Sequence, residues 1–238
     1  MLSGEKEIED RFFYNDQIVQ TRFKMLKSLT KGDDLLNLII GEKGSGKTTL
    51  LQQLLVSTKA EWRYCKILFH SKKDVNKVKA LGNLHERIGV LLRTGLPPIL
   101  IIDDAHEINV KGLRYLLGHT LISGNARKFR SIILFSEPPA KGFVEALSEC
   151  IPSKSVVNKL YIKPLSEDQT AQYLHQLTEC SDLSRKKRFS SSQIKKIFNA
   201  SQGIPGRINQ EAQRIHEEGS FWKKARLFKN IIPKLTQS

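Results

Sequence analysis

Cysteine is scarce in this chain, with three in 238 residues, at Cys65, Cys150 and Cys180. They are scattered and odd in number, so they form neither a disulfide framework nor a metal-ligand cluster, which fits a reducing cytoplasm. Long apolar runs are missing as well. No stretch approaches the roughly 18 residues that a membrane-spanning helix needs. The segment Met1-Leu2-Ser3-Gly4-Glu5-Lys6-Glu7 is charged and has no apolar h-region, which excludes a signal peptide. Internal repeats and low-complexity segments are absent.

Acids are outnumbered, 24 against 39 lysines and arginines, for a net charge of +15. Such an excess suits polyanionic partners (nucleic acid, an anionic membrane surface, or nucleotide) or, equally, lysine-rich solvated faces. No aromatic-interleaved basic motif of a nucleic-acid reader is present. Hydrophobic residues make up 39 % and charged residues 26 %, an ordinary soluble composition. The length allows one large domain or two small ones, each able to bury a core.

One stretch organises the rest. Gly41-Glu42-Lys43-Gly44-Ser45-Gly46-Lys47-Thr48 fits G-x-x-x-x-G-K-[ST], the P-loop or Walker A pattern. The apolar run Leu35–Ile40 before it has strand length, and Thr49–Leu55 after it is apolar at helical spacing. Strand, glycine loop and helix are the context the chemistry requires. The glycines let successive N–H groups face one concavity, and the helix adds the positive end of its dipole. The pattern therefore predicts a phosphate cradle at residues 41–49. Lys47 reaches the β- and γ-phosphates of ATP, or the β-phosphate of ADP, and Thr48 offers its hydroxyl to Mg²⁺.

A second site signal lies about 55 residues further on. Ile99-Leu100-Ile101-Ile102 reads as a central parallel strand covered on both faces. Asp103 and Asp104 follow at once, where open α/β sheets place their ligands. This has the form of a Walker B motif, with Asp103 holding Mg²⁺ and Asp104 polarising the attacking water. Asp104 stands where many such enzymes carry glutamate, one methylene longer. Asp-Ala-His resembles a helicase box, yet no helicase motif set follows, and His106 reads as a surface histidine. A third apolar strand, Ile132–Phe135, ends at Ser136 and Glu137. Ser136 is the polar residue that would lie between the two Walker motifs and sense the γ-phosphate.

Around these motifs, a helix from about Asn15 to Lys31 is expected, capped by Asn15 or Asp16 and ended by Gly32. Further expected elements are a strand over Cys65–Phe69, helices over 75–93, 110–121 and 143–150, and a fifth strand over 157–162. From Lys163-Pro164 onward no strand is visible. Ser166-Glu167-Asp168-Gln169 is a capping box opening a helix over 167–178. Ser191 or Ser192 caps the next helix, and Gly203-Ile204-Pro205-Gly206-Arg207-Ile208-Asn209 leads into the last. The reading is an N-terminal helical adaptor over 1–34, a parallel-sheet α/β core over 35–163, a small all-helical domain over 164–218 and a basic tail over 219–238. That tail carries Lys223, Lys224, Arg226, Lys229 and Lys234 and no acid. It suits docking on the helical domain, an anionic lipid surface, nucleic acid, or the approach to a membrane-anchored continuation past Ser238.

The order of P-loop, acid pair, polar strand end and Gly-x-Pro-Gly-Arg-x-Asn resembles the AAA+ P-loop ATPases. More narrowly, it is similar to the ExeA/GspA secretion type and to the ATPase domain of DamX-like bacterial division proteins. The resemblance covers about residues 10–218. It implies Mg-ATP binding and hydrolysis, a homo-oligomer, and a cytoplasmic place at the inner face of the inner membrane. It also assigns Arg207 as the sensor 2 arginine that reaches the γ-phosphate. One departure concerns the arginine finger that the family places after the sensor strand. Residues 137–163 contain no arginine, and Arg127 and Arg130 lie just before that strand. This implies slow turnover, or a nucleotide-binding scaffold without turnover. A DNA-binding AAA+ regulator of the transposition-helper or initiator kind is the other reading.

Overall fold

The computed structural model describes residues 17–31, 36–62, 66–70, 86–91, 93, 95, 99–108, 111–113, 131–138, 141–150, 157–180 and 189–216. The expected caps at Asn15, Asp16 and Gly32, most of the helices over 75–93 and 110–121, Arg127, Arg130 and the tail lie outside them. The chain divides into two compact units, Met1–Lys163 and Pro164–Ser238.

The first unit is an α/β fold built on one parallel sheet. Five strands, β1 (Leu36–Gly41), β2 (Lys66–His70), β3 (Ile99–Asp103), β4 (Ser131–Ser136) and β5 (Val157–Ile162), form one sheet in the order β2-β3-β4-β1-β5. Every pairing is parallel. Unbroken apolar runs make its centre because a parallel strand is covered on both sides. The two-residue period divides each run between two cores. Leu36, Leu38, Ile40, Leu100, Ile102, Ile132 and Leu134 pack on one face with Ala105, Ile108, Phe143 and Leu147. Ile39, Ile99, Ile101, Ile133 and Phe135 pack on the other with Leu50, Leu51, Leu54 and Leu55. Burying each of these side chains contributes about 1.5–3 kcal/mol, so the central strands hold most of the unit's stability.

Three helices frame the second face. Helix α1 (Gln17–Lys31) inserts Leu26, α2 (Lys47–Ser57) follows the P-loop, and α3 (Lys59–Trp62) buries Trp62. Helix α4 (Lys141–Cys150) supplies Phe143 and Leu147 to the first. One polar line crosses the sheet. Asn37 donates to Ser131 Oγ at 2.9 Å and accepts from Asn158 Nδ2 at 3.1 Å. Asn37 and Ser131 are fully buried, so these bonds answer polar groups that water cannot reach.

The second unit is helical throughout its described residues: α5 (Glu167–Cys180), α6 (Ser191–Ser201) and a closing helix over 205–216. The capping box at α5 is present, with Gln169 N–H donating to Ser166 Oγ at 3.2 Å and Ser166 N–H to Gln169 Oε1 at 3.0 Å. The cap of α6 corrects the sequence reading. It is Ser190, not Ser191 or Ser192, because only Ser190 has a glutamine three residues on to complete the reciprocal box. Pro205 opens the closing helix, where its missing N–H has no partner to lose. Tyr173 of α5 donates its hydroxyl to Asn209 Oδ1 at 2.9 Å, tying α5 to that helix. Burial pushes the Tyr173 phenol above its ordinary pKa, and the bond to Asn209 works against that rise.

Candidate functional site

The carboxyl ends of β1, β3 and β4 bring the sequence-predicted residues of the first unit together. At β1 the chain leaves the strand through Glu42 and turns on a Ser45 N–H to Glu42 carbonyl bond of 3.0 Å. Gly44 and Gly46 then take left-handed backbone, with φ of 82° and 94°. Gly46 is the residue before α2, and a side chain there would meet nothing within 4 Å. Here the loop keeps open ground rather than packing against protein. The first-turn N–H groups of a helix point out of its amino end, and in α2 they belong to the segment from Gly46 to Thr49, the Leu50 N–H donating to the Gly46 carbonyl at 2.9 Å.

Lys47 is buried, only 6 % exposed, which demands polar partners for its ammonium. Its Nζ donates to the carbonyls of Gly41 and Glu42 at 2.8 and 2.9 Å, which draws the charge back over the loop. Thr48 follows, and its hydroxyl lies 3.3 Å from Asp103 Oδ2. The register of the strands explains this meeting. Asp103 has the parity of Ile99 and Ile101, the face covered by α2, and Thr48 stands in the first turn of that helix. A hydroxyl and a carboxylate side by side form a hard-oxygen donor pair. That suits Mg²⁺, which takes one or two protein ligands and completes its shell with water and phosphate oxygens. Ser45 Oγ lies buried against Gly41 without a hydrogen-bond partner, a further polar atom of the loop.

Asp104 ends β3 abruptly. It adopts left-handed backbone, φ 52° and ψ 43°, and its N–H donates to Asp103 Oδ1 at 3.1 Å. Aspartate tolerates that conformation better than most residues. It precedes a short 3-10 turn, Ala105–Glu107, without a side-chain capping bond to it. Asp104 is half-buried and sits next to the Thr48–Asp103 pair in sequence and at the same sheet edge.

Ser136 ends β4, the strand between β3 and β1, in register with Ile40. Its parity is that of Ile132 and Leu134, the face opposite Asp103, and its hydroxyl donates to the Glu137 carbonyl at 2.6 Å. Glu42 and Lys43 are exposed, and Thr49 is partly buried in the first turn of α2. Arg207 belongs to the helical unit, exposed in the first turns of its closing helix, with its N–H donating to Ile204 at 2.9 Å.

His106 corrects the sequence reading. It is no surface histidine, being 16 % exposed, and its Nδ1 accepts the Glu137 N–H at 3.1 Å. That bond puts the neutral ring's proton on Nε2, which faces Glu107 Oε1 at 3.6 Å and Glu137 Oε1 at 3.8 Å. No spacing in the sequence announces a ring whose partner is a backbone N–H on another strand.

The fold has many counterparts among solved structures. The Aeropyrum pernix ORC2 protein, solved with ADPNP and ADP, superposes with a TM-score of 0.55 at 15% identity, over 88% of this chain and 64% of that one. Thermotoga maritima RuvB gives 0.55 at 16% identity, over 92% and 64%. Domain III of the Thermotoga maritima replication initiation protein DnaA gives 0.54 at 18% identity, over 90% and 88%. The chain thus spans 64% of the length of the ORC2 and RuvB chains it matches. No family model matches the sequence, and no curated protein sequence does either. Among the described residues no helix is long and apolar enough to cross a membrane.

Proposed function

We propose that this chain is a Mg²⁺-dependent ATP-binding switch of the AAA+ type that hydrolyses ATP slowly. The observation that carries the reading is the contact between Thr48 and Asp103, 3.3 Å apart, beside the buried Lys47. In this reading Gly41–Thr49 wraps the phosphates with backbone N–H groups, and Lys47 exchanges its carbonyl partners for phosphate oxygens. Thr48 and Asp103 would hold Mg²⁺, which would supply charge neutralisation to the phosphates. Asp104 accepts the proton of the attacking water at its carboxylate. Its shorter reach and the lack of arginine between residues 137 and 163 favour a slow switch over a fast motor. Ser136 and Arg207 are the residues that would register the γ-phosphate, Arg207 on the strength of the family resemblance alone. On the same resemblance the helical domain serves as a lid, and the protein works at the cytoplasmic face of the bacterial envelope, in secretion or division, as an ExeA-like or DamX-like oligomeric ATPase.

A second reading has its own support. The net charge of +15 suits a nucleic-acid partner, and two of the similar structures are an ORC2 protein and a replication initiation protein. The chain would then be an initiator-like regulator.

The deciding experiment measures binding of a fluorescent ATP analogue with Mg²⁺, and phosphate release, for wild type, Lys47→Ala and Asp104→Asn. Lys47→Ala should weaken binding at least tenfold, and Asp104→Asn should bind normally without turnover. Unchanged affinity in Lys47→Ala overturns the nucleotide reading. Salt-sensitive duplex binding with DNA-stimulated hydrolysis selects the second reading over the envelope one.

A further inference from the structure

The tip of β4 is held from two sides by different means. On the β1 side the backbone ladder runs as far as Ile40–Ser136. On the β3 side it stops earlier, at Ile102–Leu134. Beyond that pair a side chain of the segment following β3 bonds the backbone at the end of β4. His106 Nδ1 takes the N–H of Glu137, the residue after Ser136, while its Nε2 faces the Glu137 and Glu107 carboxylates. The left-handed turn at Asp104 is what brings the ring there, because it sends the chain off β3 into the 3-10 turn that carries His106.

From this geometry we infer that His106 is a positioning residue for discrimination between tri- and diphosphate. The inference rests on the nucleotide reading above. Ligands of an open α/β sheet bind at the carboxyl ends of its strands. With the P-loop after β1 and the acid pair at β3, the strand between them ends beside both. The His106 bond sets the distance between that tip and the acid pair. Without it the tip keeps its β1 ladder but loses this tie to the chain following β3, and Ser136 at the tip loses a fixed place relative to the acid pair. The β-phosphate is cradled by the P-loop itself, so diphosphate binding should not depend on His106.

The test compares Kd for Mg-ATPγS and Mg-ADP in wild type, His106→Leu and His106→Asn. Leucine keeps the bulk and removes the acceptor. Asparagine places an amide oxygen as many bonds from Cβ as Nδ1 and restores the acceptance of the Glu137 N–H. Wild type should prefer ATPγS. His106→Leu should lose about three- to tenfold of that preference with ADP affinity unchanged, the span expected for one buried hydrogen bond. His106→Asn should recover it. An unchanged ratio in His106→Leu overturns the inference, as does a wild type that binds both nucleotides alike. Equal weakening of both nucleotides in both variants also overturns it, because that marks a role in folding only. A wild type that takes neither nucleotide sinks the nucleotide reading, and this inference with it.

Discussion

Gly46 and Gly203 both hold left-handed backbone, with φ of 94° and 72°, one in each unit. Their surroundings differ completely. A Cβ at Gly46 would meet nothing within 4 Å, whereas one at Gly203 would lie 1.9 Å from the Leu165 carbonyl oxygen. Gly203 also accepts the Leu165 N–H at 2.8 Å, so two backbones run in contact where the helical unit begins. One glycine therefore faces open space, and the other fills space with its own chain. The lesson is that a motif glycine declares its conformation in the sequence but not its purpose. Gly-x-Pro-Gly-Arg is first of all a packing device for the helical unit, whatever Arg207 contributes besides.

Substitution by alanine should break the likeness between the two. Gly203→Ala carries the largest effect, because backbone must move against backbone and a left-handed conformation is strained as well. A loss of about 4 kcal/mol or more is expected in the helical unit. Hydrogen exchange on the full chain should show α5 and α6 losing protection while β1, β3 and β4 keep theirs. Gly46→Ala should cost only about 1–2 kcal/mol, the strain of the left-handed residue alone, yet it should abolish nucleotide affinity. Urea midpoints beside a nucleotide titration separate the two effects. Similar destabilisation by both substitutions would remove the distinction drawn here.

The smallest expected effect belongs to Tyr173. Tyr173→Phe removes the bond to Asn209 and should cost about 1 kcal/mol at neutral pH. The folded-state pKa of this phenol is raised, so its contribution is whole below the unfolded value of about 10 and is lost as pH rises through the folded value. Wild type should therefore lose stability more steeply than Tyr173→Phe above about pH 10. Denaturation midpoints across that range give the comparison, and parallel curves would count against a buried, ionisable Tyr173.

Much of the α/β unit was legible because its signals are local. Apolar runs of strand length mark β1, β3 and β4, and glycine-rich or acidic ends mark what the strands deliver. The pairing of Thr48 with Asp103, 55 residues apart, could be expected from motif order. The insertion of β4 between β1 and β3 was expected only from the known architecture of P-loop proteins, which put Ser136 between the two Walker motifs, because the long-range ladders that fix it lie in no window of sequence. His106 escaped for the same reason, since its partner lies 31 residues away and is a backbone N–H that every residue but proline has. The cap of α6 escaped differently. Ser190, Ser191 and Ser192 are chemically identical candidates, and the glutamine at position 193 was the signal that distinguished them.

The polar line through Asn37 carries a consequence for how the protein is made. Strand β1 leaves the ribosome before either of its neighbours. Ser131 follows Asn37 by 94 residues and Asn158 by 121. At about 5–20 residues per second, roughly 5–20 s of synthesis pass before Ser131 exists. During that interval the strand bearing the P-loop has neither β4 nor β5 to pair with. A nascent chain halted before Ser131 would carry the whole of Gly41–Thr48 with its apolar β1 still unpaired on both sides.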